Sequence, residues 1–295
     1  MSYAHIPVML REVLTYLNAK PGQKFIDCTL GGAGYTVALA EQTKAKGIVL
    51  GIDLDSLALN NAREIIKQKK LKNIVLAQGN FKNLEEIVSQ NFPIGIKFDG
   101  IVFDLGLSSA QLADETRGFS FRGEHPLDMA FGPDNDKSSA DILNYYPLLE
   151  LTRIFQEYGE EKHSYRIAKA IIEARKVKKI ETTADLVNII EKVIPFRFRS
   201  KIHPATKIFQ ALRMETNEEL SCLENVLPVV VKLLKKGGRI VIVSFHSGED
   251  RIVKRFFRNN QELTILTKRP LIPGKDEIMN NSRARSAKFR AAEKK

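Results

Sequence analysis

The sequence predicts an α/β protein whose parallel sheet is interrupted by an all-helical insertion. In the N-terminal third, short apolar runs typical of buried strands alternate with helical patterns, as in βαβ units with right-handed crossovers. The fourth apolar run ends at Leu105 and the next begins at Arg239, whereas a crossover with its helix needs only about a dozen residues. The excess between these positions is therefore predicted to form a separate helical subdomain.

The elements of the sheet follow in chain order. Strands are predicted at 24–30, 47–54, 73–78 and 98–105, with helices at 35–42, 56–70 and 83–89 between them. Asp55 or Ser56 is suited to cap the second helix, because a short polar side chain there accepts a hydrogen bond from a free backbone N–H. Beyond the insertion, the pattern predicts a helix at 206–234, a strand at 239–245, a helix at 249–258 and closing strands at 263–267 and 287–291.

The insertion itself reads as helical. Helical patterns occur at 140–145, 148–158, 164–176 and 183–193, punctuated by Pro147 and Pro195. A loop rich in glycine and charged residues precedes them at 108–138. We therefore assign residues 109–205 to an inserted helical domain, and residues 1–108 together with 206–295 to the domain that carries the sheet.

Composition narrows the class of protein. The 295 residues are 43% hydrophobic and 27% charged, which is typical of a globular protein, and no run approaches the roughly 20 apolar residues that span a bilayer. The N-terminus lacks the pattern of a signal peptide, and Cys28 and Cys222 provide neither a disulfide framework nor metal-ligand spacing. We expect a cytoplasmic protein without a metal.

The net charge of +11 is unevenly distributed. Residues 1–161 carry 16 basic and 21 acidic side chains, a balance of −5, whereas residues 162–207 carry 12 against 4 and residues 232–295 carry 17 against 6. Such asymmetry is typical of a surface that binds a polyanion, because neutralising phosphates releases counterions. A solvated lysine-rich surface would give the same counts, so charge alone leaves both interpretations open.

A glycine-rich turn follows the first strand at residues 27–34 (DCTLGGAG). Small residues there allow a ligand to approach the backbone at the carboxyl edge of the sheet, where open α/β folds bind ligands. The spacing does not match a dinucleotide fingerprint, and the acidic Asp27 suits a cationic ligand better than a pyrophosphate. Tight packing of the turn is the alternative.

The next two strands end in further candidates. Asp53 can accept both hydroxyls of a ribose at the end of the second strand, whereas we assign Asp55 to capping the following helix. Phe81, after the third strand, could cover an adenine or pack in the core, and the sequence leaves both interpretations open.

The fourth and fifth strands also end in polar residues. Asp104 could accept a hydrogen bond from an amine and orient its lone pair, which is the alignment that a group transfer needs. Ser108, Ser109 and Gln111 follow at the same edge, and no G-x-S-x-G elbow of a hydrolase occurs. His246 ends the fifth strand as a structural hydrogen-bonding group or a base.

Ordered motifs along the whole chain resemble those of the bacterial RsmH (MraW) family. They lie at 5–13 (HIPVMLREV), 104–112 (DLGLSSAQL), 117–121 (RGFSF), 126–129 (PLDM), 158–161 (YGEE), 203–206 (HPAT), 209–213 (FQALR), 244–247 (SFHS), 249–254 (EDRIVK) and 283–286 (RARS). The resemblance implies a class I S-adenosylmethionine-dependent methyltransferase, with a Rossmann-like sheet and an inserted helical domain for substrate recognition. It implies methylation of N4 of a cytosine in 16S rRNA within the small ribosomal subunit, with S-adenosylhomocysteine as the product.

The resemblance also implies roles for individual residues. It implies that Ala33, Gly34 and Tyr35 bind the methionine part of the cofactor, that Asp53 binds the ribose and that Phe81 contacts the adenine. The remaining cofactor contacts are implied for Asp104 and Gln111, and Asp104 is also implied to be catalytic. The family usually has glycine and histidine where this chain has Ala33 and Tyr35, and leucine where it has Gly248. We expect backbone contacts at 33–35 to tolerate these differences. No membrane contact is expected, and a homodimer is left open.

Two other functions compete with this interpretation. A methyltransferase for a small molecule or a protein would not need the two basic regions, and a non-catalytic assembly factor would not need Asp53, Asp104 and Gln111.

Methylation of RNA requires contacts to the strand as well, because a cytosine must be drawn out of its stack before its exocyclic amine can react. The first candidates for RNA contact are Lys178, Lys179, Arg197, Arg199 and Lys201, followed by Arg283, Arg285, Lys288 and Arg290.

Overall fold

The computed structural model describes residues 6–107, 114–121, 123–132, 135, 137–194 and 203–295. The chain divides into two compact units. The first contains Met1–Ser108 and Leu220–Lys295, and the second contains Ser109–Glu219.

The first unit is built on a seven-stranded sheet. Its strands are β1 (Lys24–Asp27), β2 (Ile48–Asp53), β3 (Ile74–Gln78), β4 (Phe98–Asp104), β5 (Leu234–Ser244), β6 (Leu263–Ile265) and β7 (Lys288–Lys294). The spatial order is β3-β2-β1-β4-β5-β7-β6. The first five strands are parallel to one another, whereas β7 is antiparallel to both β5 and β6. This arrangement confirms the α/β class and the Rossmann-like sheet.

Helices connect the strands of this unit. They are α1 (Leu10–Leu17), α2 (Gly34–Thr43), α3 (Ser56–Gln68), α4 (Leu84–Asn91), Glu219–Leu233, Ser247–Asn259 and Lys275–Asn280, and short 3-10 turns occur at Phe81–Asn83 and Ser282–Ser286. Asp55 caps α3 by accepting a hydrogen bond from the backbone N–H of Leu57 at 2.9 Å, as the sequence predicts.

Alternating side chains of the strands form two cores, one on each face of the sheet. Ile26 and Phe103 pack on one face with Leu223 and Val226 of a helix, whereas Phe25 packs on the other face. All five side chains are buried. Because both faces are covered, the strands are fixed in register, and their carboxyl ends are held at a common edge.

The second unit is helical. Its helices are Ser139–Tyr145, Leu148–Glu157, Ser164–Val177, Thr183–Val193 and Pro204–Thr216, and a 3-10 turn lies at Glu115–Arg117. Capping boxes at Ser138 with Asp141 and at Thr182 with Asp185 start two of them.

One expectation about this region is wrong. The helix predicted at 206–234 is two helices, Pro204–Thr216 and Glu219–Leu233, with Glu218 at φ +51° between them. The first belongs to the helical unit, so residues 206–219 do not lie in the sheet-bearing unit. The physical reason is packing, since Thr216 shares a buried hydroxyl contact of 2.8 Å with Ser139. Across the described ranges, no helix is long and apolar enough to span a membrane.

Candidate active site

Three aspartates stand at the carboxyl ends of adjacent parallel strands. Asp27 ends β1, Asp53 ends β2 and Asp104 ends β4. Strand β1 lies between the other two, because it pairs in parallel with both β2 and β4. The sheet therefore gathers three carboxylates at the edge where open α/β folds bind their ligands.

The Asp53 carboxylate holds the glycine-rich turn in place. Its Oδ2 accepts a hydrogen bond from the backbone N–H of Gly31 at 2.8 Å, and its Oδ1 accepts one from Asp55 N–H at 2.9 Å. Gly31 has φ +47°, a conformation that favours glycine. Burial raises the pKa of Asp53 to about 6. Each carboxylate oxygen can accept a second hydrogen bond, so the side chain can also receive a diol.

Asp27 is a structural member of the edge. Its Oδ2 accepts a hydrogen bond from the Thr36 hydroxyl at 2.7 Å, and its Oδ1 accepts one from the backbone N–H of Thr29 at 3.2 Å. Burial raises its pKa to about 6. The Thr29 hydroxyl in turn accepts a hydrogen bond from Asp104 N–H at 2.6 Å, which ties the turn after β1 to the end of β4. Neither Thr29 nor Thr36 was singled out from the sequence.

Asp104 is the least satisfied carboxylate of the three. Its Oδ1 is buried and has no hydrogen-bond partner among the described residues. Burial is the main cause that raises its pKa to about 7, opposed by the cation of Arg283 and reinforced by Asp27 and Glu249. A buried acceptor without a donor is costly, so this oxygen is suited to a ligand that brings an N–H or O–H.

The residues predicted to hold the methionine part of the cofactor have different environments. Ala33 is buried at φ +63° and caps α2, which begins at Gly34. A Cβ at Gly34 would lie 2.7 Å from Pro7 Cγ, so glycine is needed for this close approach. Tyr35 is buried and its hydroxyl donates to the carbonyl of Val8. Its side chain therefore fixes the N-terminal segment. Because the Ala33 N–H donates to the Leu30 carbonyl and the Ala33 carbonyl accepts from Val37, a ligand contact in 33–35 would fall on the backbone of Gly34 and Tyr35.

Phe81 and His246 serve the surrounding structure. Phe81 packs edge-on against Phe103, with ring centroids 5.5 Å apart, while remaining partly exposed, so packing and a ligand contact are compatible. His246 caps the helix Ser247–Asn259 by accepting a hydrogen bond from Glu249 N–H at 3.3 Å. This cap supports the structural role for His246 rather than that of a base. Gln111 lies outside the described residues.

The C-terminal segment reaches this edge, which the sequence did not indicate. Arg283 donates a hydrogen bond from Nη2 to the carbonyl of Leu107, three residues after Asp104. In the same segment, Asn281 Nδ2 donates to the Ile6 carbonyl at 3.0 Å, and Glu277 Oε1 accepts from Met9 N–H at 2.6 Å. The segment thus braces both the end of β4 and the N-terminal residues that contact α2. A separation of 176 residues between Leu107 and Arg283 hides this contact from local pattern analysis.

The candidate RNA-binding cations are less free than their sequence suggests. Lys178 lies 3.2 Å from Asp185, and Arg290 is buried in an ion pair of 2.6 Å with Asp250. The Lys179 ammonium lies 5.9 Å from the ring centroid of Tyr145. Three further candidates, Arg197, Arg199 and Lys201, lie outside the described residues. The expectation for Arg290 is wrong, because a buried, paired guanidinium cannot contact a phosphate.

Comparison with known proteins decides the family. A family model described as the MraW methylase family matches residues 2–295. The chain belongs to this family. Among curated members, ribosomal RNA small subunit methyltransferase H from Carboxydothermus hydrogenoformans is 41% identical over 313 residues, covering 100% of this chain and 99% of the relative. The protein of the same name from Persephonella marina is 44% identical over 295 residues, covering 98% and 99%.

The fold is also shared with more distant solved structures. A Clostridium thermocellum protein assigned as an rRNA-methylase has a TM-score of 0.50 at 14% identity, covering 99% of this chain and 100% of that one. At this identity the likeness concerns the fold. The MraW methylase family is thus established by sequence over the whole chain, and it makes this protein a methylase.

Proposed function

We propose that this methylase transfers a methyl group from S-adenosylmethionine to N4 of a cytosine in 16S rRNA of the small ribosomal subunit. The name of its curated relatives supports a small-subunit rRNA substrate for the family. The observation that carries the reaction chemistry is Asp104, a carboxylate with an unsatisfied buried oxygen at the carboxyl edge of the sheet. We place the reaction in the cytoplasm.

The residues at the edge fit this cofactor. Asp53 is positioned to accept the ribose hydroxyls, and the turn that it holds through Gly31 brings backbone groups to the same edge. Phe81 is partly exposed beside this edge and would cover the adenine. Gln111, outside the described residues, and the backbone of 33–35 complete the proposed contacts. When bound, the cofactor supplies a methyl group activated by a sulfonium.

Asp104 would orient the nucleophile. The cytosine amine is a weak nucleophile because its lone pair is delocalised into the ring, so the base must leave its stack and the nitrogen must rehybridise. An N–H of the amine donated to Asp104 Oδ1 would satisfy this buried oxygen and direct the lone pair at the methyl carbon. Methylation would form the N–C bond at the expense of the C–S bond of the cofactor, and the amine would release a proton. A carboxylate with a pKa of about 7 can take up this proton near neutral pH or pass it to water.

The experiment is methyl transfer from tritium-labelled cofactor to purified small ribosomal subunits, followed by separation of RNA from protein and digestion of the RNA to nucleosides. We expect label in N4-methylcytidine, and a strong loss of label with Asp104→Asn. Label in the protein fraction would instead indicate a protein methyltransferase. Absence of transfer by a wild-type protein that binds the cofactor would support the non-catalytic assembly factor.

A further inference from the structure

The helix Ser247–Asn259 separates its charges by face. Its two acidic residues are occupied on the inner side. Glu249 is buried and accepts hydrogen bonds from the backbone N–H groups of Phe245 at 2.8 Å and His246 at 3.3 Å. Asp250 forms an ion pair of 2.6 Å with Arg290. Val253 is buried on the inner side as well. Both acidic groups of this helix are thus engaged in other contacts, and Asp250 also lies 3.7 Å from Lys288.

Every exposed residue between positions 251 and 258 is a cation. These residues are Arg251, Lys254, Arg255 and Arg258, which we call the basic face. Their spacing of three and four residues places them side by side on the helix surface, about 5–6 Å apart. Lys254, Arg255 and Arg258 form no ion pair with any residue in the described ranges. The face is thus a row of neighbouring positive charges directed at solvent.

This row is unfavourable for the isolated protein. Arg258 lies four residues after Lys254 and three after Arg255, and like charges at these spacings repel each other. The favourable inner contacts of the helix come from Val253, Phe257 and the capping box at His246, none of which needs an outer cation. Because Lys254, Arg255 and Arg258 have no ion-pair partner among the described residues, these three cations are suited to an external polyanion.

The helix that carries the basic face begins close to the candidate active site. Strand β5 ends at Ser244 beside Asp104, which pairs in register with Val243, and the helix begins at Ser247. The basic face therefore starts about one helical turn from the catalytic edge and extends roughly 10 Å away from it, given 1.5 Å per residue. A nucleic-acid strand with its target base at Asp104 would have its neighbouring phosphates within reach of this row.

We propose that the basic face binds the phosphate backbone of the rRNA strand that carries the target cytosine. This rests on the proposed function for its choice of RNA. The face positions the strand through charge and not through base identity, because Lys and Arg contacts to phosphates fix register without reading sequence. Its contribution is to substrate affinity and not to the chemical step.

The test uses the full-length protein and a triple variant, Lys254→Gln with Arg255→Gln and Arg258→Gln. Binding to fluorescently labelled single-stranded 16S rRNA fragments is measured over a range of salt concentrations, and methyl transfer to small subunits gives kcat and KM. We expect at least about tenfold weaker RNA binding, and a log–log salt slope lowered by roughly two to three, at about 0.7–0.9 for each phosphate contact. KM for the subunit should rise while kcat at saturation and cofactor affinity stay unchanged.

Two control variants separate a specific face from bulk charge. Lys20→Gln with Lys44→Gln and Lys46→Gln removes the same three charges from exposed positions that precede β1 and β2, at the opposite edge of the sheet, and should leave RNA affinity and slope near wild type. Lys254→Arg with Arg255→Lys and Arg258→Lys keeps the charges and should restore binding. An unchanged slope in the first triple variant, or an equal loss in the lysine control, would overturn the proposal.

A single substitution distinguishes a role in RNA binding from a role in the stability of the helix. Arg255→Glu places an acid three residues before Arg258, so it should raise the midpoint of thermal unfolding while weakening RNA binding. Loss of both stability and binding would indicate a structural residue and contradict the proposal. Because binding is measured apart from methyl transfer, the basic face is judged even if the wild-type protein methylates no cytosine, an outcome that would refute the proposed function alone.

Discussion

Asp104→Asn is predicted to stabilise the free protein above pH 7 while it removes activity. Burial raises the pKa of Asp104 from 3.8 to about 7, so ionising this side chain in the folded protein is unfavourable. At 1.36 kcal/mol for each pH unit, this shift corresponds to about 4 kcal/mol above pH 7. The amide introduced by the substitution is buried without a full set of hydrogen bonds, which lowers this gain in stability by about 1–3 kcal/mol. We expect a net gain on the order of 1–3 kcal/mol.

The dependence on pH is the sharper part of this prediction. Because the pKa is higher in the folded than in the unfolded state, the stability associated with the neutral carboxyl is fully present below about pH 4 and is lost as the pH rises through 7. The stability difference between Asp104→Asn and the wild type should therefore grow between about pH 4 and 7 and remain constant above that range. Urea unfolding of the cofactor-free proteins at several pH values measures it.

A matched substitution has the opposite sign. Asp250→Asn leaves the buried Arg290 guanidinium without its ion-pair partner, so it should lower stability at pH 8. The reasoning is refuted if Asp104→Asn is less stable than the wild type at pH 8, or if its effect does not vary with pH. In the same variant, kcat at saturating cofactor should fall at least about tenfold, which is 1.36 kcal/mol of transition-state stabilisation.

Three further predictions concern the surroundings of Asp104. Asp53→Ala should weaken binding of S-adenosylmethionine by about tenfold or more, measured by calorimetry, because a charge-assisted contact to ribose contributes about 1.5–3 kcal/mol; unchanged affinity in a folded variant would remove Asp53 from the site. Gly34→Ala should destabilise the protein by about 1–3 kcal/mol in urea unfolding, because the added Cβ would collide with Pro7. Gly274→Ala is the control, since a Cβ there meets no other atom and should have little effect. Equal effects of the two substitutions would contradict the Gly34–Pro7 contact. Arg283→Met should shift the acid limb of the kcat–pH profile to higher pH, because the Arg283 cation opposes the rise in the pKa of Asp104. In the Asp104→Asn background the same substitution should shift no limb. A similar shift in both backgrounds would indicate a different ionising group.

The sheet and its edge could be predicted because their signals are local. Each parallel strand is an apolar run, and Asp53 and Asp104 lie one residue before the predicted strand ends at 54 and 105. The first strand ends at Asp27, three residues earlier than the predicted end at 30, so this aspartate also lies at the common edge. The division of the 206–234 helix could not be predicted in this way. Both halves have helical periodicity, and only the packing of Pro204–Thr216 within the helical unit distinguishes them.

The same distinction explains which parts of the site the sequence missed. Tyr35 lies at the start of the expected helix, but its hydroxyl contacts Val8, and Arg283 reaches Leu107 from the far end of the chain. Neither contact leaves a periodic or compositional signal. The count of basic residues could not identify the RNA-binding cations either, because it does not distinguish Arg290 from Arg255. The structure separates them, since Arg290 is buried against Asp250 and Arg255 is exposed on a helix face that carries only cations between positions 251 and 258.

The two kinds of charge on the helix Ser247–Asn259 suggest how binding and chemistry are kept apart in one short segment. Burial is the main cause that raises the pKa of Asp104, and Glu249, on the inner side, adds to this rise, so that the carboxyl titrates near neutral pH. Arg251, two residues later, faces solvent on the side proposed for the RNA backbone. If both assignments hold, Lys254→Gln should change KM and leave the pH profile of kcat unaltered, whereas Arg283→Met should change that profile and leave the salt dependence of RNA binding unaltered. A variant on either side that changed both quantities would show that the two functions are coupled through this helix.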